Sequence, residues 1–137
     1  MKLYSSWVGL FLMVVLFSSF KVDPEFETKL YCYMKGIGIK NADVVLKQAI
    51  FESGHFNSKI YKSKHNLFGF RRTKTYITYK SWQACVDYYK VWQDKNYKDP
   101  SQDYYSFLQK INYTGYKKFD YAKALKNIKT RGTLKCD

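Results

Sequence analysis

The strongest constraint in this chain is an apolar stretch, Ala42 to Ser53, that reads as a helix and stops on a carboxylate followed by a glycine. Val45, Leu46, Ala49 and Ile50 recur at helical spacing and supply one stripe to bury, while Gln48 and Glu52 share another face four residues apart. Asn41 suits the N-cap of this helix and Gly54 suits its end. Glu52 is the last glutamate in the sequence, after Glu25 and Glu27. A lone carboxylate is thus carried to the end of a buried helix. It faces a Ser/Lys/Asn-rich segment and then the turn Asn66-Leu67-Phe68-Gly69.

The remaining elements form around that stretch. A length of 137 residues favours one domain. Glu25 to Lys35 predicts a first helix, with Phe26, Leu30, Tyr33 and Met34 inward. Asn57 or Ser58 is expected to cap a short helix through Tyr61 and Lys64. Arg71 to Tyr79 is Thr- and Tyr-rich with period-two alternation, which predicts a small strand or hairpin. Ser81 is expected to cap a long helix to about Tyr97, with Trp82, Cys85, Val86, Tyr89 and Gln93 along one side. A further helix is expected to restart at Asp99-Pro100-Ser101, with Tyr105, Leu108 and Ile111 inward. Asp120 is expected to cap the last one, burying Tyr121, Ala124, Leu125 and Ile128. The outline is an α+β class, mainly helical, in a single domain with a small β-hairpin after residue 69.

The N-terminus reads differently. Met1-Lys2 is a short positive start, and Trp7 to Phe17 is uncharged and apolar, followed by Ser18-Ser19. That is the pattern of an export signal. The run is shorter than the roughly 20 apolar residues needed to span a bilayer. Residues 1–20 are therefore assigned to a signal peptide or N-terminal anchor and residues 21–137 to the folded domain. A membrane enters only if the segment is uncleaved. Export gives the three cysteines two readings: Cys32 paired with Cys136, tying the ends of the domain together, or three reduced thiols. Cys85 lies in an apolar helical pattern and is expected to be a buried free thiol. No His/Cys spacing suits a metal, and no cofactor is implied.

Lys and Arg number 24 against 11 Asp and Glu, a net charge of +13. This predicts attraction to a polyanion. The basic residues are dispersed, and no zinc-finger, basic-zipper or RNA-binding-sheet pattern accompanies them, which argues against nucleic acid.

Four pieces occur in order: Gln48-Ala49-Ile50-Phe51-Glu52-Ser53-Gly54; Asn66-Leu67-Phe68-Gly69; Tyr79-Lys80-Ser81-Trp82 with Val86-Asp87-Tyr88; and Tyr105-x-Phe107-Leu108-x-x-Ile111-x-Tyr113. Each is weak alone, but the ordered set is specific. From about Tyr31 to Ile128 the chain resembles the glucosaminidase family of bacterial peptidoglycan hydrolases. The resemblance implies a lysozyme-like fold and hydrolysis of the β-1,4 bond on the N-acetylglucosamine side of glycan strands; the N-terminal pattern implies a location outside the cytoplasm, and a monomer is expected. The resemblance also implies that Glu52 is the catalytic acid. Asn66, Phe68 and Gly69 would shape the floor of the substrate site, and Tyr113 would face it. Arg71 and Tyr76 of the hairpin are expected to meet substrate.

Two departures from the family pattern stand out. Many members carry a second acidic residue on the hairpin, and here no Asp or Glu occurs between Ser53 and Val86. Tyr113 is followed by Thr114-Gly115-Tyr116 where the family has Ala-x-Asp. Glycoside cleavage ordinarily uses two carboxylates. With one, the sequence leaves open attack by the substrate's own 2-acetamido group, a distant aspartate such as Asp87 or Asp120, or a water held by Asn66, Tyr113 or a hairpin tyrosine. It also leaves open lytic transglycosylation, and a non-catalytic wall-binding or polyanion-binding role.

Overall fold

A computed structural model describes residues 23–137. The export segment proposed at residues 1–20 lies outside them. In order, the described chain forms α1 (Pro24–Gly36), α2 (Ala42–Glu52), α3 (Lys59–Lys64), β1 (Arg71–Arg72), β2 (Thr75–Tyr76), α4 (Trp82–Asn96), α5 (Tyr104–Lys110) and α6 (Tyr121–Asn127). This is the mainly helical α+β outline expected from the sequence, with the hairpin in its expected place. No described helix is long and apolar enough to cross a membrane.

Helix α2 is the central element. Val45, Leu46, Ala49 and Ile50 are fully buried, and α2 packs against α1 on one side and α6 on the other. Full burial of each large side chain contributes about 1.5–3 kcal/mol, which fixes α2 as the rigid mount for its last residue, Glu52. Its start differs from expectation. Asn41 precedes the helix in the left-handed region (φ 54°) and its side chain caps nothing, because Gly38 and Ile39 bring the chain in from a turn rather than from an extended approach. The other caps form as expected: Ser58 accepts from the Tyr61 amide, Ser81 from Ala84 and Asp120 from Lys123.

Helix α5 begins later than the sequence suggested. Asp99 turns back onto the Ser101 amide and hydroxyl in a local loop, and Asp103 becomes the cap by accepting from Ser106. With only seven residues, α5 buries Tyr104, Phe107 and Leu108 and leaves Ile111 beyond its end, exposed.

The C-terminal tail closes the domain. Cys32 and Cys136 form a disulfide with Cα atoms 5.5 Å apart, and Cys85 is free and buried. Buried Glu27 on α1 accepts the Arg131 and Gly132 backbone N–H groups, the latter at 2.8 Å. Gly132 sits so close to α1 that a Cβ there would meet the Pro24 carbonyl oxygen at 2.6 Å and the Thr28 nitrogen at 2.8 Å. Only glycine fits this crossing.

The hairpin is two residues per strand, with Arg71 paired to Tyr76 and Arg72 to Thr75. So small a sheet is not stable by itself. Buried Asn66 holds it: its Nδ2 donates to the Phe70 and Ile77 carbonyls at 2.9 Å each, and its Oδ1 accepts from the Phe70 amide at 3.0 Å. Removing that side chain strands the Phe70 amide and the Ile77 carbonyl, each at a cost of about 1–3 kcal/mol where water cannot reach, while the Phe70 carbonyl keeps the Ile77 amide. Asn66→Ala is therefore expected to lower the unfolding free energy by at least about 2 kcal/mol. Urea denaturation measures this, and a loss below about 0.5 kcal/mol contradicts the role.

Candidate functional site

Glu52 ends α2 as a partly exposed residue whose carboxyl is buried. The Tyr121 hydroxyl on α6 donates to its Oε1 at 2.7 Å. Tyr113 stacks on Tyr121, with ring centroids 5.7 Å apart and planes 5° from parallel. Tyr113 in turn donates its hydroxyl to the Phe68 carbonyl at 2.9 Å. The floor is thus stitched in series: carboxyl, Tyr121, Tyr113, then the Asn66–Gly69 turn. Phe51 forms the flank, meeting Phe119 at 6.1 Å and Tyr121 at 5.6 Å between centroids.

This enclosure sets the electrostatics. Burial raises the Glu52 pKa from the ordinary 4.5 to about 8, and the Tyr121 hydrogen bond opposes it by favouring the charged form. At neutral pH the carboxyl is therefore protonated, able to donate from one oxygen while Tyr121 engages the other. Its charge reaches several tyrosines: Tyr121, Tyr113, Tyr89 and the hairpin's Tyr76 all have raised pKa values, chiefly from burial, with a contribution from Glu52. The hairpin residue that the Glu52 charge reaches is thus a tyrosine, and the hairpin carries no carboxylate. Arg71 lies over the Tyr76 ring, 4.4 Å from its centroid. Its Nη2 donates to the Lys74 carbonyl at 2.8 Å across the hairpin turn.

The two aspartates considered as partners are engaged elsewhere. Asp87 accepts the Tyr33 hydroxyl at 2.7 Å on α1, and Asp120 caps α6. Asn66 uses its amide within the hairpin. Phe68 is fully buried, with its ring against Tyr89, 4.4 Å between centroids. Gly69 is left-handed at φ 69°, which lets the chain turn from the floor into the hairpin. Asn66, Phe68 and Gly69 thus build the turn that Tyr113 reaches, and Arg71 and Tyr76 lie together on the hairpin that follows it.

Gln48, one turn before Glu52, anchors a second layer. Its Oε1 accepts from Tyr89 at 2.6 Å. The Tyr89 hydroxyl meets that of Tyr104 at 2.7 Å, and Gln93 donates to Tyr104 at 2.9 Å. Beneath the turn, the Cys85 sulfur accepts from the Leu67 amide, and burial pushes its thiol up to about 12, so it stays an inert packing group.

Directly after Glu52 the backbone is strained. Gly54, His55 and Phe56 are all left-handed, at φ 58°, 55° and 63°. Each non-glycine residue there costs about 1–2 kcal/mol. The run is held by the Ser53 hydroxyl accepting from the Phe56 amide at 2.9 Å and by Phe56 packed edge-on against Phe26, centroids 4.8 Å apart.

Sequence reasoning missed Tyr121 as a partner of the acid. The sequence marks it only as an inward residue of α6, which it is, and nothing local signals a contact 69 positions away. Among the described residues no group of three His, Cys, Asp or Glu side chains could hold a metal.

A family model described as "Glucosaminidase: Mannosyl-glycoprotein endo-beta-N-acetylglucosaminidase" matches residues 28–134, which takes in every residue of this site. No curated protein and no solved structure matches the chain.

Proposed function

The chain belongs to the glucosaminidase family and is a glycoside hydrolase of that family, and from that premise we propose that it is an exported peptidoglycan hydrolase with Glu52 as its general acid. The bond cleaved is the β-1,4 linkage on the N-acetylglucosamine side of the glycan strand. Residues 1–20 direct or anchor it outside the cytoplasm, and residues 21–137 act there as a monomer. The observation that carries this reading is a single buried carboxyl at the end of α2, held at one oxygen by the Tyr121 hydroxyl, with burial raising its pKa to about 8.

Glu52 gives its proton to the leaving glycosidic oxygen as the bond lengthens. Positive character then develops at the anomeric carbon, and the 2-acetamido oxygen of the same sugar attacks it. This substrate-assisted route needs no protein nucleophile. It fits a site where the groups around the acid are tyrosines. Water opens the resulting ring, and the ionised Glu52 takes up its proton. Arg71 and Tyr76 contact the glycan from the hairpin side. Tyr113 acts through Tyr121 and is a positioning residue.

A group that must be protonated to work loses activity as pH rises through its pKa. The value of kcat/KM is expected to fall above about pH 8. Tyr121→Phe removes the hydroxyl that favours the ionised form, so the Glu52 pKa rises further and the basic limb moves to higher pH. A pH–rate profile of the variant reads this directly, and a limb that stays put or moves down contradicts the assignment.

The product ends test the reaction itself. The purified protein is incubated with peptidoglycan and the fragments are analysed by mass spectrometry. Reducing N-acetylglucosamine ends are expected. Anhydro-muramic ends would instead make the protein a lytic transglycosylase. Wall binding without cleavage would leave only a binding role.

A further inference from the structure

The acids of this domain do little to neutralise its cations. Among the described residues the only ion pair is Lys90 with Asp94, on successive turns of α4. Seven of the remaining acids are bonded to amides or hydroxyls instead. Asp23, Asp103 and Asp120 cap helices, Asp99 holds a turn, Glu27 holds the C-terminal tail, and Asp87 and Glu52 accept from tyrosines. The positive surface is therefore an available field rather than a lattice of surface pairs.

At one place two of these cations converge. Lys47 of α2 donates to the Tyr105 hydroxyl at 3.2 Å, and its Nζ lies 5.8 Å from that ring's centroid. Lys126 of α6 lies 5.3 Å from the same centroid. Lys47 thus sits off the hydroxyl end of the ring, and Lys126 is the second cation beside the same tyrosine. Asp103 feels the charge of Lys126 but spends its carboxylate on the Ser106 amide and hydroxyl.

The position relative to the acid is also set by the helices. Lys47 lies one turn before Phe51 and so shares its face of α2. Phe51 forms the flank beside Glu52 against Phe119 and Tyr121. Tyr121 and Lys126 occupy the two ends of the short α6, which packs on α2. The helix that ends in Glu52 and the helix whose Tyr121 holds it thus also carry the two lysines beside Tyr105.

We propose that Lys47, Tyr105 and Lys126 form an anion subsite for acidic groups borne by the glycan strand on which Glu52 acts. The tyrosine hydroxyl and the two ammonium groups together suit a carboxylate or a phosphodiester oxygen, whether from peptide stems or from an anionic polymer attached to the strand. The inference rests on the hydrolase reading above and adds a substrate preference to it: acidic strands over neutral ones.

The test compares wild type, Lys47→Gln/Lys126→Gln and Lys47→Arg/Lys126→Arg. Activity is measured on a neutral N-acetylglucosamine oligomer, on intact peptidoglycan, on strands freed of stem peptides, and on strands freed of phosphodiester polymer by hydrofluoric acid. The glutamine pair is expected to lower the preference for acidic over neutral substrate, as a ratio of kcat/KM values, by about fivefold. The arginine pair should retain it. Whichever stripping abolishes the wild-type preference identifies the source of the anion. Binding of each protein to the same insoluble substrates is measured in parallel, so the subsite is read even without turnover. Absence of cleavage with lysine-dependent binding overturns the hydrolase reading alone. Equal preference and equal binding in wild type and the glutamine pair overturn the subsite.

Discussion

Glu52→Gln is expected to lower kcat/KM by about 10²–10⁴-fold, the usual contribution of a positioned proton donor, while making the fold more stable above neutral pH. Both effects follow from one feature. The amide keeps the shape of the acid and still accepts from Tyr121, but has no proton to give. The stability change has a definite sign. In the unfolded chain Glu52 ionises near 4.5, whereas in the folded protein it ionises near 8. Between those values the folded state holds a proton that the unfolded state has lost, so stability falls as pH rises through that window and levels off above it. The total is on the order of 3–5 kcal/mol. Glutamine carries no such penalty, so the gap in unfolding free energy between variant and wild type should be near zero below pH 4.5 and grow to its full size by about pH 8. A variant that keeps its activity, or whose stability follows wild type across this range, removes Glu52 from the role.

Loss of the Cys32–Cys136 disulfide is expected to have the largest effect on stability. The bond closes a loop with a sequence separation of 104. By chain entropy, closing a loop of that length contributes about 4–5 kcal/mol, and native bonds in small domains measure about 2–5 kcal/mol. The structural consequence falls on α1. Without the bond, the tail that presents the Arg131 and Gly132 amides to Glu27 can leave, and a buried carboxylate loses its partners. Phe26, beside Glu27, is also the residue that packs on the strained Phe56 just past the acid. Cys32→Ser/Cys136→Ser, or reduction of the wild type, should therefore lower Tm markedly and reduce activity at temperatures where wild type is folded. Cys85 does not complicate the experiment, because burial holds its thiol protonated. Equal Tm values for oxidised and reduced protein would contradict this account.

Much of this was legible in the sequence because it is local. The stripe of α2, the caps at Ser58, Ser81 and Asp120, the turn at Asn66–Gly69 and the hairpin each follow from residues within a few positions of one another. The end of α2 set Glu52 beside the turn that follows it in sequence. What was not legible depends on distant packing. Tyr121 reaches Glu52 only because α6 lies on α2, and its phenol is the group that tunes the acid. The Asn66 amide is absorbed by the hairpin behind it, which no spacing rule reveals. Asn41 and the Asp99 loop were misread for a related reason: each residue type suits both a helix cap and a turn, and the approach of the preceding chain decides between them. Cysteine count left the disulfide open, and only the tail's return to α1 resolved it.

The most direct test of the central claim is the ionisation of Glu52 itself. The chain contains just three glutamates, at positions 25, 27 and 52, so carbon-13 labelling of glutamate side-chain carboxyls yields a spectrum simple enough to assign with Glu52→Gln. Titrated in the folded protein, the Glu52 resonance is expected to move with a midpoint near pH 8, and higher still in Tyr121→Phe. A midpoint near 4.5 in the wild type would mean that the carboxyl is ionised at neutral pH, and would contradict the account.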